Sequence, residues 1–336
     1  MPVHPILLPR GYTAMTGPLT DYIDELIYVL SGNEPSMACV APHRTGKTVA
    51  VRHLQARLEE KQTAVYIGMD CFRRRSPGRG NTERSFWRKL MGDLGDVDPQ
   101  LFMHDPYTAL VASIRTQCDR RGTPTVVFAL DEAQNLLMEQ LDMLKELVEH
   151  LIDYKLKPFV LLMGQQQLHL LVEMLNLSDR GDLVDRFMLS QYKFRGMTER
   201  DVEPFLNHLD VAVWPEGSGI TYTQHFAPGL WQRGWRMGRQ SELLWSTLVA
   251  EARKSKSPAL PLEVGTKFVA TAAHNVLIAL KKEPHIAVSH QLFQEAVSAS
   301  GFDKFLKAQL AVKAEVGVNL LDPKRVKAWY NAGRAV

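Results

Sequence analysis

Residues 41–48 read Ala-Pro-His-Arg-Thr-Gly-Lys-Thr and directly follow the apolar run Met37-Ala38-Cys39-Val40. A Gly-Lys-Thr ending between a short buried strand and a helix is typical of a P-loop, whose backbone N–H groups and helix N-terminus bind phosphates. In such a loop, Lys47 reaches the β- and γ-phosphates of ATP and the Thr48 hydroxyl holds Mg²⁺. The positions predicted to contact the nucleotide are His43, Arg44, Thr45, Gly46, Lys47, Thr48 and Val49.

One position departs from the P-loop pattern G-x-x-x-x-G-K-[ST], because Ala41 stands where the first glycine belongs. Alanine is the smallest replacement, and it is costly only if the backbone φ at that position is positive. The alternative interpretation is that Gly46-Lys47-Thr48 is a chance helix start. We favour the P-loop because of a second motif downstream.

That second motif is a buried, β-branched and aromatic run, Thr125-Val126-Val127-Phe128-Ala129-Leu130, which ends in Asp131 and Glu132. Parallel α/β sheets bind ligands at the carboxyl ends of their strands, so both acids are expected at that edge. Asp131 is predicted to bind Mg²⁺, directly or through water, and Glu132 to polarise the attacking water as a general base. Acidic pairs also cap helices, but a P-loop upstream favours one ATP site.

A further buried run, Phe159-Val160-Leu161-Leu162-Met163, leads into Gly164 and Gln165. A polar residue emerging beside the acidic strand can contact the γ-phosphate or the attacking water. Gln165 is our first choice for this role, although a glutamine at a strand end is as often a turn residue.

The remaining periodicity predicts an α/β fold with a parallel sheet between helices. Apolar positions 51, 54 and 58 indicate a helix from the P-loop to about Lys61, and residues 64–69 form the next strand. This βαβ unit requires a parallel sheet with a right-handed crossover. An N-terminal helix is predicted from the apolar spacing of Tyr22, Leu26, Ile27 and Leu30.

The chain has 336 residues, enough for a full α/β core plus a second, smaller domain. We predict a helical lead-in over 1–35, the core over 36–197, a helical lid over 198–300 and a basic helical tail over 301–336. Within the lid, Arg239 after Gly238 is a candidate to reach the nucleotide, and Lys267 after Gly265 is its rival. A basic helical extension of this kind is most often only a solvent-exposed surface.

Composition narrows the class of protein. The chain is 45% hydrophobic and 23% charged, which is ordinary for a soluble globular protein. Cys39, Cys71 and Cys118 have neither disulfide nor metal-site spacing, which fits a reducing cytoplasm. No run approaches the roughly 20 apolar residues that span a bilayer, so a cytoplasmic protein is expected.

A net charge of only +3 means that a nucleic-acid partner must be inferred from local clusters. Residues 71–89 carry many basic side chains against the single acid Glu83, together with the aromatic pair Phe86-Trp87. This pattern predicts phosphate-backbone contacts with stacking, or else a solvated loop whose aromatic residues anchor the following helix. The arginines predicted to bind DNA are Arg73, Arg74, Arg75, Arg79 and Arg84.

Two further arginines, Arg180 and Arg186, lie near the end of the predicted core. An arginine presented to the γ-phosphate of a neighbouring subunit would stabilise charge in the transition state. Either arginine could instead form a surface pair with Asp182 or Asp185, which would contribute little to stability. The sequence leaves these alternatives open.

The stretch Leu130-Asp131-Glu132-Ala133-Gln134-Asn135-Leu136, with Gly164-Gln165, resembles the AAA+ ATPases of the TnsC/TniB group. These regulate Tns-type transposons, including CRISPR-associated ones, and are related to MuB and ExeA-like ATPases. The resemblance spans about residues 20–300 and includes the lid pattern at 272–280, Ile286 and residues 293–296.

The resemblance implies a homo-oligomeric ring or filament on double-stranded DNA that links a TniQ/TnsD-like target selector to TnsA/TnsB-like transposase subunits. ATP would lie between subunits, with Arg180 or Arg186 supplied by the neighbour. In this group, loops after the second strand grip DNA, which favours the DNA interpretation of residues 71–89. The tail after Gly301 lies outside the match and is suggested to contact the transposase.

Two other functions remain open from the sequence. The first is an ExeA-like or signalling ATPase that acts on a protein partner and ignores DNA. The second is a nucleotide-locked scaffold without turnover, against which the intact pair Asp131-Glu132 argues.

Overall fold

The computed structural model describes residues 3–8, 11–32, 34–71, 83–94, 99–254 and 262–308. Its internal contacts divide the chain into two compact units. The sheet unit comprises the described parts of Tyr22–Pro42 and Lys47–Phe194. The helical unit comprises the described residues up to Asp21, the short segment His43–Gly46 and the chain from Arg195 to residue 308.

Five parallel strands form the centre of the sheet unit: β1 (Ser36–Val40), β2 (Val65–Asp70), β3 (Thr125–Asp131), β4 (Lys157–Gly164) and β5 (Gln191–Lys193). Their order across the sheet is β2-β3-β4-β1-β5, and every neighbouring pair is parallel. All five residues of β1 are buried, so both faces of the sheet are covered, as parallel sheets require. The predicted parallel α/β core is therefore confirmed.

The helices of this part of the chain are α1 (Gly17–Ser31), α2 (Lys47–Lys61), α3 (Glu83–Leu90), α4 (Pro99–His104), α5 (Pro106–Arg121), α6 (Met138–Asp153), α7 (Leu168–Leu177) and α8 (Gly181–Phe187). Helix α5 has ordinary start and stop signals, since Asp105 accepts the Thr108 N–H and Gly122 ends it with a φ of 63°. Helix α2 ends at Lys61, as predicted.

The structure differs from the sequence-based prediction in two details. The apolar spacing places Ile27 on the buried face of α1, but its side chain is 52% exposed. Strand β5 was missed because it has only three residues, two of which are exposed and polar. It is held at the edge of the sheet by β1, and the Ala38 N–H donates to the Ser190 carbonyl at 2.8 Å.

The helical unit contains α9 (Glu199–Val211), α10 (Tyr222–Phe226), α11 (Pro228–Gln232), α12 (Ser241–Lys254), α13 (Thr266–Lys282) and α14 (His290–Ala299). Its core also takes Ile6 from the N-terminal segment, and Phe302 and Leu306 from the start of the predicted tail. Residues 302–308 are helical, and the tail beyond them lies outside the described residues. No helix in the described part of the chain is long and apolar enough to cross a membrane.

Candidate functional site

The carboxyl ends of the central strands bring the predicted acids to one edge of the sheet. Val40 at the end of β1 pairs with Gly164 at the end of β4, and Asp131 at the end of β3 pairs with Met163. On the other side of β3, Asp131 pairs with Asp70 at the end of β2. Residues from four strands therefore meet where parallel α/β sheets bind ligands.

Lys47 is the first residue of α2, and its side chain lies against Asp131, the last residue of β3, and Glu132, which follows that strand. Its Nζ is 3.0 Å from Asp131 Oδ1 and forms an ion pair with Glu132 Oε1. The lysine side chain is only 10% exposed, so these interactions are weakly screened by solvent. The structure thus brings together the three residues that the sequence assigned to phosphate, metal and water.

Glu132 follows β3 in the left-handed region, with a φ of 56°. Its Oε2 accepts hydrogen bonds from Gln134 Nε2 at 2.6 Å and Gln165 Nε2 at 2.8 Å. Burial acts to raise the pKa of Glu132, but hydrogen bonds from Lys47, Gln134 and Gln165 outweigh it and hold the pKa below its ordinary value. Glu132 is therefore ionised at neutral pH, as a general base must be.

Gln134 belongs to this group, although sequence reasoning gave it no role. Its side chain is buried, and its Oε1 accepts the Gln165 backbone N–H at 3.1 Å. The signal was present in the quoted Asp-Glu-Ala-Gln motif, but only the structure shows that residue 134 turns back toward Glu132.

The position that breaks the P-loop pattern is well accommodated. Ala41 is fully buried and does not have a positive φ. Its N–H donates to the Gly164 carbonyl at 2.9 Å, which continues the β1–β4 pairing by one residue. Because φ is not positive at residue 41, alanine adopts this backbone conformation without strain.

The loop residues His43–Gly46 make their contacts within the helical unit. Arg44 has a φ of 66°, and its carbonyl accepts the Lys267 N–H at 3.1 Å. Its guanidinium lies 5.3 Å from the ring centre of Phe268. Gly265 leaves space for this approach, because a Cβ there would lie 3.0 Å from the Arg44 carbonyl oxygen. Gly46 has a φ of 109°, which only glycine adopts freely.

The donor set at the sheet edge suits a magnesium–nucleotide complex. Lys47, Thr48 and Val49 form the first turn of α2, where Thr48 is exposed and Val49 is 37% exposed. Within the described ranges, no group of three His, Cys, Asp or Glu residues could hold a metal alone. Mg²⁺ in nucleotide sites uses one or two protein ligands and takes the others from phosphate and water. Thr48 and Asp131 supply such a minimal set.

The two arginines near the end of the core differ in how they are paired. Arg180 is tied within its own chain, because Nη1 donates to Asp142 at 2.8 Å and Nε donates to Asp182 at 2.9 Å. Arg186 approaches only Glu149, at 3.9 Å, and its buried Nε has no hydrogen-bond partner among the described residues. Arg180 therefore forms the surface ion pair with Asp182 that the sequence left open as an alternative.

Most of the arginine-rich segment, residues 71–89, lies outside the described residues, including Arg73, Arg74, Arg75 and Arg79. Arg84 is exposed on α3 and donates to the His104 carbonyl at 2.7 Å. Phe86 and Trp87 are each only 2% exposed and belong to the core. Of the two interpretations of this pair, the structure agrees with aromatic residues that anchor the helix, because α3 turns them toward the sheet unit's interior and leaves them no stacking surface.

Arg239 lies in a single 3₁₀ turn, Gly238–Gln240, directly before α12. Its side chain is exposed. The rival, Lys267, lies in the first turn of α13 and contacts the loop residue Arg44 through its backbone N–H. A role of either side chain toward nucleotide stays a prediction.

Comparison with known proteins identifies the type of domain that the sheet unit contains. Residues 31–172 match the family model of the AAA domain. No curated protein matches the sequence significantly. Among solved structures, the chain is similar to the Walker-type ATPase of Pyrococcus abyssi, with 13% identity and a TM-score of 0.51, covering 93% of this chain and 79% of that one.

Two further structures match with lower scores. Drosophila ORC bound to DNA has 13% identity and a TM-score of 0.43, covering 96% of this chain and 80% of that one. The Aeropyrum pernix ORC1 protein in complex with DNA has 16% identity and a TM-score of 0.41, with coverages of 96% and 84%. Likeness at these identities concerns the fold alone.

The matched segment 31–172 contains the P-loop, Asp131, Glu132 and Gln165. Four of the five parallel strands, β1 to β4, lie within this segment, and their carboxyl ends bring these residues to one edge of the sheet. The chain therefore contains an AAA domain followed by a helical region, and it is a P-loop ATPase.

Proposed function

We propose that this ATPase binds double-stranded DNA, assembles on it as a homo-oligomer, and links a TniQ/TnsD-like target selector to a TnsA/TnsB-like transposase. The observation that carries the proposal is the position of the arginine-rich segment, which follows β2 directly. Strand β2 ends at Asp70, which pairs with Asp131, so the chain reaches the start of this segment at the sheet edge that holds the ATPase residues. Nucleotide and DNA contacts at one edge would let ATP control assembly.

The ATPase step follows from the pairing of charges at that edge. Lys47 would exchange its carboxylate partners for the β- and γ-phosphates. Thr48 and Asp131 would hold Mg²⁺, which would neutralise charge on the phosphate oxygens. Glu132 then accepts a proton from the water that attacks the γ-phosphorus, and ADP leaves as the β–γ bridging bond breaks.

We place Arg186, rather than Arg180, at the neighbouring subunit's nucleotide. Arg180 would have to break its hydrogen bonds to Asp142 and Asp182 before it could reach a second chain. Among the described residues, the ion pair that Arg186 would lose is weak, because Glu149 lies 3.9 Å away. Turning the Arg186 guanidinium toward a phosphate therefore breaks fewer interactions than turning that of Arg180.

The DNA part is tested by measuring how salt weakens binding to a labelled duplex, by fluorescence anisotropy with ATP and MgCl₂. Replacing Arg73, Arg74 and Arg75 by alanine is expected to flatten the slope of log affinity against log salt by about 0.9 per lost phosphate contact. The matched control removes the exposed cations Lys61, Arg120 and Lys157, which lie at the ends of α2 and α5 and the start of β4. This control is expected to keep the wild-type slope.

The alternative is an ExeA-like or signalling ATPase that acts on a protein partner. It predicts no salt-dependent duplex binding in the wild-type protein, with ATP turnover intact. Equal slopes for the two triple variants would show that DNA is held elsewhere, and would contradict the role given to the arginine-rich segment.

A further inference from the structure

We propose that Gln134 is a positioning residue that fixes which carboxylate oxygen of Glu132 accepts the proton during ATP hydrolysis. Its side-chain amide bridges two parts of the site. Nε2 donates to Glu132 Oε2 at 2.6 Å, and Oε1 accepts the Gln165 N–H at 3.1 Å. This inference rests on the role of Glu132 as general base in the proposed function.

Both ends of the amide are needed for this bridge. The ionised carboxylate of Glu132 can only accept a hydrogen bond, and the backbone N–H of Gln165 can only donate one. A primary amide satisfies the two partners at once, and the partners in turn fix which way the amide faces. Gln134 is 8% exposed, so water competes little for either bond.

The bridge leaves the two oxygens of Glu132 in different situations. Oε2 is held by Gln134 and by Gln165 Nε2, both of which are neutral donors within the protein. Oε1 is paired with Lys47. When Lys47 turns to phosphate, Oε1 loses its partner while Oε2 keeps two. Oε1 is thus released to face the attacking water, without any rotation of the carboxylate.

The end of β4 is shaped to admit the bridging amide. A Cβ at Gly164 would lie 2.9 Å from Gln134 Oε1 and 3.2 Å from Leu168 Cβ. Only a residue without a side chain therefore leaves the amide in place. Gly164 has no positive φ, so its backbone conformation does not explain the glycine, whereas the approach of Gln134 does.

The experiment compares ATP turnover with nucleotide affinity in the full chain. Gln134→Met keeps the length of the side chain and removes both hydrogen bonds. Phosphate release with MgCl₂ is expected to show kcat lowered about ten-fold or more, a part of the 10²–10⁴ that a general base contributes. The Kd for the fluorescent analogue mant-ATP is expected to stay within about two-fold, which also shows that the variant is folded.

Coupling to Glu132 separates positioning from a general structural effect. In a Glu132→Gln background, Gln134→Met is expected to cause no further loss of kcat, because the group it positions is already gone. Gly164→Ala provides a second route, since it displaces the amide and should also lower kcat without weakening mant-ATP. The control is Gln117→Met on α5, a glutamine of similar burial, which is expected to keep wild-type kcat.

Wild-type kcat in Gln134→Met, or an equal loss of kcat in the presence and absence of Glu132, would overturn the inference. If Glu132→Gln itself turned over ATP at the wild-type rate, the proposed function of Glu132 would fail instead. The two failures are therefore distinguishable in one set of variants.

Discussion

The Nζ atom of Lys47 lies 3.0 Å from Oδ1 of Asp131, so the residue suited to phosphate is paired with the residue suited to the metal. Glu132 shares the same lysine. In the proposed mechanism, substrate binding at this edge would be an exchange of partners, in which phosphate takes the lysine and leaves both carboxylates to metal and water.

Lys47→Ala is expected to weaken mant-ATP binding by at least about ten-fold, because one charge-assisted contact to phosphate contributes roughly 1.5–3 kcal/mol. The substitution also removes the cation that lies between the adjacent acids Asp131 and Glu132, so the free energy of unfolding in urea should fall. Lys61→Ala, at the exposed end of the same helix, serves as the control. Unchanged mant-ATP affinity in Lys47→Ala would contradict the assignment of the P-loop.

Arg186→Ala is expected to abolish most ATP turnover while keeping mant-ATP affinity, because the arginine acts on a neighbour's nucleotide. A mixture of Arg186→Ala with Lys47→Ala should regain turnover, since one variant supplies an intact pocket and the other an intact arginine. Arg180→Ala should keep most of its turnover, as its guanidinium is engaged by Asp142 and Asp182. A mixture no more active than its components would place the arginine's action within one chain.

Asp201→Asn is expected to lower the free energy of unfolding by about 3 kcal/mol at pH 7, because it removes the buried partner of Arg195. Burial acts to raise the pKa of Asp201, but hydrogen bonds from Arg195 and Thr198 outweigh it and hold the pKa below its ordinary value. A carboxyl group with a pKa lowered by folding stabilises the protein above its unfolded-state pKa.

That contribution is lost as the pH falls through the folded-state pKa of Asp201, so the difference between Asp201→Asn and the wild-type protein should shrink below about pH 4. Urea unfolding at a series of pH values measures it. Glu216→Gln, at an exposed position of the same unit, should show no such pH-dependent difference. A constant difference down to pH 2 would mean that Asp201 stabilises the protein by packing alone.

Ala41→Gly restores the missing glycine of the P-loop pattern, yet it is expected to lower the free energy of unfolding by about 1–2 kcal/mol. The residue is fully buried without a positive φ, so glycine loses a packed methyl group and gains only unfolded-state freedom. Mant-ATP affinity should not improve. Tighter mant-ATP binding by this variant would show that alanine impairs the loop.

Local sequence patterns predicted most of the strands of the sheet and the position of the acidic pair Asp131-Glu132. Strand β3 reads as a continuous apolar run that ends in Asp131, and its parallel neighbours follow from the βαβ rule. The sequence left the burial of Phe86 and Trp87 as one of two alternatives, because an excess of arginine around an aromatic pair is also typical of a nucleic-acid contact. Which face of a short helix meets the core depends on contacts that are distant in sequence.

The same limit applies to the site. Arg180 is held by Asp142, which lies 38 residues earlier in the chain, and no spacing rule signals that pair. The bridge from Gln134 to Gln165 spans 31 residues and joins two strand ends. The sequence identified the reactive groups by type, whereas their partners became visible only once the strands were in register.

Phosphate release by Glu132→Gln, measured beside its mant-ATP affinity, tests the central claim most directly. The claim is that Lys47, Asp131 and Glu132 form one ATP-hydrolysing site. It predicts wild-type mant-ATP affinity together with turnover reduced by about 10²–10⁴. Wild-type turnover in Glu132→Gln would contradict it.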